Sequence, residues 1–483
     1  MAGRSRDLEL SVHGGIGGIA AQLEDMQATA KLIDDISLEL LDVAASCHRF
    51  LASPDVVASA ALDPVGAARF EVELLAALDG PQGLTATAGA VGMRAVTLRA
   101  AAVAYRAADE MAADLVQARR FFQGAGAAAA LPGLLTAGAS FLVGENAVGR
   151  DPADDLQHVL TEHPGIVDEV IGAAPGFISA LSSVFGHPVD SVFRFVTGKT
   201  LFPTTIAQSA GLLGLLYPDG RPVVRDLGLD TFDNSMRNPP RGFNDLISGL
   251  SYRNNQTQGQ IDVRVIEQTM PDGSVQRSYI VDIPGTKDWQ LNPVGERIFL
   301  NDLGTNLHVL AGDVTTYARG VAEALRRAGA RPGDAVMLVG HSQGGMVAVR
   351  SANDFVTSGM FNVTHVVTAG SPVTGMSVPR SVQMLSLENE HDIIPHLDGR
   401  NNPDTPNRIT VYFDRQLGTI GRNHGIDSAY QISAQELDRS IDPSVQAYRD
   451  SATAFFHGER VHSYAYQVTR VYRDRVGSQT DPI

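Results

Sequence analysis

Cysteine occurs once in the 483 residues, at Cys47, which excludes an intramolecular disulfide framework and a cysteine-based metal site. Lysine is almost as scarce, at Lys31, Lys199 and Lys287, so the positive charge is carried nearly entirely by arginine. With 38 basic against 54 acidic residues the formal net charge is −16, and no nucleic-acid partner is expected, because neutralising phosphate requires clustered Lys and Arg. No charged leader followed by an apolar core and a small-residue cleavage site is present, so ordinary signal-peptide export is not expected. What the chain does have is size and apolar content. At 44% hydrophobic and 19% charged it suffices for two or three domains with substantial cores.

The most informative stretch is Ala335-Val336-Met337-Leu338-Val339-Gly340-His341-Ser342-Gln343-Gly344-Gly345-Met346. Its branched apolar run is too short for a helix and apolar on both faces, which predicts a buried strand of a parallel sheet. Gly340, Gly344 and Gly345 leave room for a sharp turn, and a helical pattern follows from Met346. Strand, G-x-S-x-G and helix in that order form a nucleophile elbow, a turn that lifts a serine hydroxyl above the sheet beside a helix N-terminus. The alternative is a tight strand-to-helix turn with an idle serine.

Gly340-His341-Ser342-Gln343-Gly344-Gly345 resembles the elbow of lipases in the α/β-hydrolase family. The resemblance implies an α/β-hydrolase domain, a mostly parallel sheet with flanking helices, preceded here by an all-α N-terminal bundle. An opening hairpin is expected, with Ile261, Val263 and Val265 alternating, a turn at Pro271-Asp272-Gly273-Ser274, and a return strand through Ile283. After that strand comes Pro284-Gly285-Thr286, and the family pattern nominates the Thr286 and Gln343 backbone N–H groups as the oxyanion hole. The apolar residues Trp289, Leu291 and Phe299, together with Met346, are the substrate-binding candidates, and the segment after Thr286 reads as an acyl site or lid, or as plain packing. An amphipathic helix is expected over 309–328, and further strands over 363–368, 382–387 and 409–413.

Asp392 follows the second strand after the elbow and His424 the third, which matches the family order of Ser, acid, His. Asn389-Glu390-His391-Asp392 resembles the acid segment of class-3-type lipases, and Asn423-His424-Gly425 the histidine loop of related esterases. The implied roles are Ser342 as nucleophile, His424 as base and Asp392 as its orienting acid. Glu390, Asp398 and Asp414 are rival acids, and His457 and His462, expected in a helical tail, are fallback bases.

The first third is alanine-rich and helical. Ile19, Leu23, Met26, Ala30, Ile33, Ser37, Leu40, Ala44, Cys47 and Leu51 form a seam, with a second long helix to about Arg120. Two long helices ending near Tyr105 and Asp109 are similar to the WXG100 and ESX-associated proteins of type VII secretion, whose signal has the form Tyr-x-x-x-Asp/Glu. The Trp-x-Gly turn of that group is absent, since the only tryptophan is Trp289. The uncharged run at 121–144 has a length near the minimum of about 20 residues for a membrane span. Pro132-Gly133 breaks it, so short buried helices or a mobile apolar loop are expected ahead of membrane insertion. The expected boundaries are a bundle at 1–123, an apolar helical region at 124–220, an irregular connector at 221–260 and the catalytic domain at 261–483.

The expected activity is cleavage of carboxylic esters, lipid or acyl, through an acyl-enzyme with no metal or organic cofactor. An acyltransferase using the same triad is the alternative. A second alternative is a secreted helical partner-binding protein with an inactive hydrolase domain. Expected partners are the ester or lipid substrate and, on the second resemblance, the type VII machinery or a helical partner. Localisation is expected to be either secretion by such a route or cytoplasmic.

Overall fold

The computed structural model describes residues 8–129, 165–182, 186–288 and 297–472. Two compact units are present, 19–116 on the one hand and 1–18 with 117–483 on the other.

The smaller unit is built from the helices α1 (Ile19–His48), α2 (Pro54–Leu62), α3 (Pro64–Asp79) and the first part of α4 (Leu84–Ala129). Ala30, Ser37 and Ala44 are buried on α1, and Ala88, Ala95 and Ala102 on α4. Each set repeats every seven residues, the spacing of two helices packed lengthwise, and the small side chains let the backbones approach closely. Ser37 Oγ accordingly donates to Ala88 O at 2.9 Å, and Arg99 pairs with Asp34 at 3.0 Å, so α1 and α4 run antiparallel. Cys47, at the end of the seam, is only half-buried.

The larger unit is organised on one nine-stranded sheet, ordered β1-β8-β7-β6-β5-β4-β3-β9-β2. The central strands β4 (Val275–Ile283), β5 (Ala335–His341), β6 (Asn362–Ala369), β7 (Gln383–Asn389) and β8 (Arg408–Phe413) are parallel. Their expected positions agree with these spans to within a few residues. β3 (Gln260–Thr269) pairs antiparallel with β4 through the turn at Gly273, whose φ is +81°. This mixed sheet with flanking helices fits an α/β-hydrolase architecture.

Burial explains why β5 is apolar on both faces. Val336 and Leu338 enter one core with the helices Thr316–Arg327 and Gln343–Thr357. Met337 and Val339 enter the other with the helices Phe243–Asn254 and Pro443–Ser451. A strand covered on both sides has no polar face to show.

Several elements differ from the sequence-based expectation. Residues 460–471, expected in a helical tail, form strand β9 (Arg460–Val471) between β3 and β2, with Tyr466, Val468 and Arg470 alternating into the interior on one face and Ser463 and Ala465 buried on the other. Residues 221–260, expected as an irregular connector, hold β2 (Arg221–Leu229) and the helix Phe243–Asn254. β1 (Leu10–Gly14) pairs with β8 at the opposite sheet edge. The helix expected over 309–328 is two helices, Leu303–Leu310 and Thr316–Arg327, separated where Gly312 takes a φ of +88°. The apolar run at 121–144 lies largely outside the described residues, and among the described residues no helix is long and apolar enough to cross a membrane.

Ala95, fully buried on the α4 seam, tests the helix packing. Ala95→Leu is expected to lower stability by about 1–3 kcal/mol through overpacking. Val96→Leu, at a position 53% exposed, is expected to stay within about 0.5 kcal/mol. Chemical unfolding of the full chain, followed by circular dichroism, reads the difference.

Candidate active site

β5 ends at His341 and the helix Gln343–Thr357 starts two residues later, leaving Ser342 alone in the turn with φ +56° and ψ −124°. Among the described residues Ser342 is the only non-glycine with a positive φ. Such a conformation costs on the order of 1–3 kcal/mol and persists only where its surroundings enforce it. Here the enforcement is visible. Ser342 N–H donates to Ala369 O at 2.9 Å, and a Cβ on Gly344 would run into Ile283 O and Pro284 O of the neighbouring strand end. A Cβ on Gly340 would strike the backbone of Gly344, and one on Gly345 the side chain of Ser371. The three glycines thus let helix, strand end and loop close on the serine.

Asp392 and His424 arrive from the loops after β7 and β8. His424 Nδ1 donates to Asp392 Oδ2 at 2.7 Å, and the carboxylate is fully buried. The same oxygen accepts the Tyr430 hydroxyl at 2.6 Å, and Oδ1 accepts Ile394 N–H at 3.0 Å. Three donors on one carboxylate fix its plane. Burial, reinforced by the Asp392 charge, pushes the Tyr430 phenol well above its ordinary range, so it stays a donor. Two buried amides hold the loops together: Asn389 Nδ2 donates to Asn423 O at 2.9 Å, and Asn423 Nδ2 to His391 O at 2.8 Å.

His341 stacks on His424 with ring centroids 4.5 Å apart, and its Nε2–H donates to His424 O at 2.9 Å. Since a carbonyl only accepts, the proton sits on Nε2 and Nδ1 carries the lone pair. Burial, with the His424 ring next in weight, pushes His341 down to about 3. The ring is therefore neutral at pH 7 and adds no competing cation beside His424.

Ser342 and His424 line one cavity of about 400 Å³, together with Thr286, Asn254, Asn255 and Asp427. Thr286 Oγ1 accepts from Asn306 Nδ2 at 3.1 Å, while the neighbouring Gly285 N–H is taken by Asn254 Oδ1 at 3.2 Å. Gln343, at the first position of its helix, has a backbone N–H with no intrahelical acceptor. Its side chain donates to Asp302 O at 2.7 Å, which fastens the start of the helix.

Other sequence candidates fall elsewhere. Met346 is buried in the core beneath the sheet and does not line the cavity, because the helical turn after the elbow points it inward. Phe299 is half-buried beside β9, bridging to Thr469, and is also absent from the cavity lining. Trp289 and Leu291 lie outside the described residues. Asp414 is engaged by His391 at 3.0 Å, Asp398 by Thr374 N–H at 2.6 Å, and His462 faces Glu267 at 3.8 Å. Tyr105 and Asp109 are exposed one turn apart on α4. Tyr430, His341, Asn389 and Asn423 were not singled out as functional from the sequence. Asn389 and Asn423 carried a signal, standing inside the two loop motifs; Tyr430 carried none.

The family model described as lipase (class 3) matches residues 294–402, a segment containing Ser342 and Asp392 but neither His424 nor Thr286. The match is to ester-cleaving enzymes. It supports a lipase- or esterase-like hydrolase. Among solved structures the chain is similar to EstE1, a thermophilic carboxylesterase cloned from a metagenomic library, at 14% identity and a TM-score of 0.22, covering 56% of this chain and 99% of that one. It is also similar to an esterase of Pyrobaculum calidifontis, at 14% identity and a TM-score of 0.20, covering 51% of this chain and 89% of that one. No curated protein matches the chain.

The His341 ring gives a pH prediction. Its folded pKa of about 3 lies below the unfolded value of about 6.5, so the unfolded chain takes up a proton first as pH falls. The stability it protects is complete above about pH 6.5 and is lost as pH drops from there towards 3. His341→Asn is expected to flatten the decline of Tm between pH 6.5 and 4 relative to the parent, as read by differential scanning calorimetry.

Proposed function

We propose that the chain is a serine hydrolase of carboxylic esters in which Ser342 is the nucleophile, His424 the general base and Asp392 the acid that orients it. The observation that carries this reading is the Asp392 to His424 hydrogen bond placed on the wall of the cavity that Ser342 also lines. His424, holding its Nδ1 proton on Asp392, has Nε2 available as a base for the Ser342 hydroxyl. The serine oxygen attacks the ester carbonyl carbon, and the carbonyl π electrons move to oxygen. Negative charge appears there only at this stage, where the Thr286 and Gln343 N–H groups receive it; one such donor typically contributes about 100-fold in rate or more.

Collapse of the tetrahedral intermediate expels the alcohol, which takes the proton from His424 and leaves an acyl group on Ser342. Water, deprotonated by the same imidazole, then releases the acid and restores the serine. Neutral His341 keeps positive charge away from the imidazolium that forms, and Tyr430 keeps the Asp392 carboxylate in plane.

An acyltransferase would use the same side chains with an alcohol replacing water in the second half. The polar character of the cavity wall at Asn254, Asn255 and Asp427 favours testing that reading alongside hydrolysis. Products released from a short acyl ester, with and without glycerol, separate the two.

Ser342→Ala is expected to abolish fluorophosphonate labelling. His424→Ala and Asp392→Asn are expected to lower kcat by about 10³-fold or more, with far-ultraviolet circular dichroism unchanged. Near-parent activity in any of the three variants removes the proposal. Absence of labelling in the parent itself favours an inactive hydrolase domain.

A further inference from the structure

We infer that a second cleft, beside the helix Phe243–Asn254, receives the alcohol half of the ester, and that this half is a neutral polyhydroxylated group such as a sugar or polyol. The inference rests on the ester hydrolysis at Ser342 proposed above.

The helix is two-sided. Phe243, Leu246, Ile247 and Leu250 are fully buried against the sheet. Asp245, Ser248, Tyr252 and Asn255, spaced by three or four residues, face a cleft of about 890 Å³ instead. That volume falls among small-molecule sites, which run to about 300–1,000 Å³. Asn238, Gln256 and Gln431 line the same cleft, and the Phe456 ring, packed edge-on against Phe243 with centroids 5.7 Å apart, contributes an apolar surface.

Chemistry decides the class of ligand. Side-chain amides and hydroxyls each combine donor and acceptor capacity, as the hydroxyls of a sugar do. Gln431 Nε2 donates to Ser248 Oγ at 2.9 Å, so Gln431 keeps its Oε1 and Ser248 its hydroxyl hydrogen for a ligand. Arg241 is the only cation among the described lining residues, and it pairs with Asp245 at 3.3 Å. No uncompensated positive charge is left for a phosphate or carboxylate, and the second lining carboxylate, Asp233, is taken by the Ser235 N–H at 2.8 Å and hydroxyl at 2.6 Å, which argues for a neutral ligand.

Position connects the cleft to the reaction. Asn255 lines both the cleft and the cavity that holds Ser342 and His424. Asn255 Nδ2 donates to Asp427 Oδ2 at 2.8 Å, and the Ser251 hydroxyl donates to the same carboxylate, so a hydrogen-bonded polar ridge lies between the two spaces. On this inference an ester bound with its carbonyl at Ser342 carries its alcohol portion over Asn255, the residue that lines both spaces.

The experiment compares two esters of one acyl group, the octanoyl monoester of glucose and ethyl octanoate. The parent is expected to prefer the glucose ester by roughly 10-fold or more in kcat/KM, since a site built around hydroxyl partners discriminates against a ligand lacking them. Gln431→Leu and Ser248→Ala, checked for parent-like melting, are expected to bring that ratio down towards one. Ser342→Ala is expected to bind the glucose ester more tightly than the ethyl ester by calorimetry. Cleavage of both esters by the parent with no preference, or a ratio unmoved in both variants, overturns the subsite while leaving ester hydrolysis intact. Failure to cleave either ester, with no fluorophosphonate labelling, overturns the hydrolase reading and the subsite with it.

Discussion

A carboxylate with no exposed surface sits where the loops after β7 and β8 converge, and the rest of the rim is arranged around it. Burying the Asp392 carboxylate is tolerable only because His424, Tyr430 and the Ile394 amide all point hydrogen at it. His424 and Tyr430 reach it from the stretch after β8 and the Ile394 amide from its own loop, so the carboxylate acts as a clamp between the two loops. Asn389 and Asn423 reinforce the clamp by exchanging side-chain hydrogen bonds with each other's loops. The orientation of the His424 ring is therefore a property of the folded loops as a set.

The second constraint is backbone geometry at Ser342. A left-handed residue with a side chain is unfavourable in isolation, and the sheet offsets the cost. β5 is held between β4 and β6, the helix Gln343–Thr357 is packed into the core, and the serine is the only residue left to absorb the reversal between them. Gly344 and Gly345 permit this by admitting the Ile283 carbonyl and the Ser371 side chain where a methyl group would collide.

The described wall around Ser342 and His424 is made mostly of amides, hydroxyls and a carboxylate, with Ile426 as an apolar member. Met346 and Phe299, apolar in sequence and close to the motifs, were expected to line the site and instead pack elsewhere. Their proximity along the chain carried no information about direction. A helix places successive side chains about 100° apart, so neighbours one or two residues apart along it face different sides. Conversely, residues 221–260 read as an irregular connector in the sequence, and only the structure shows the helix Phe243–Asn254 with a polar stripe along a cleft.

The chain's own pattern determined the central parallel strands, the hairpin and the elbow, because short apolar runs bounded by turn residues are local signals that fully buried strands must carry. It also determined the small-residue seam of α1, since a seven-residue repeat is written in consecutive turns of one helix. Only the tertiary structure decided that β1 and β9 join the sheet, because their partners lie hundreds of residues away and a half-buried strand looks like any alternating loop. Tertiary structure alone likewise brought Tyr430 to Asp392 and laid His341 on His424, contacts that depend on where loops cross rather than on what any segment prefers. Local sequence sets what a segment can become, and the meeting of distant segments sets what it touches.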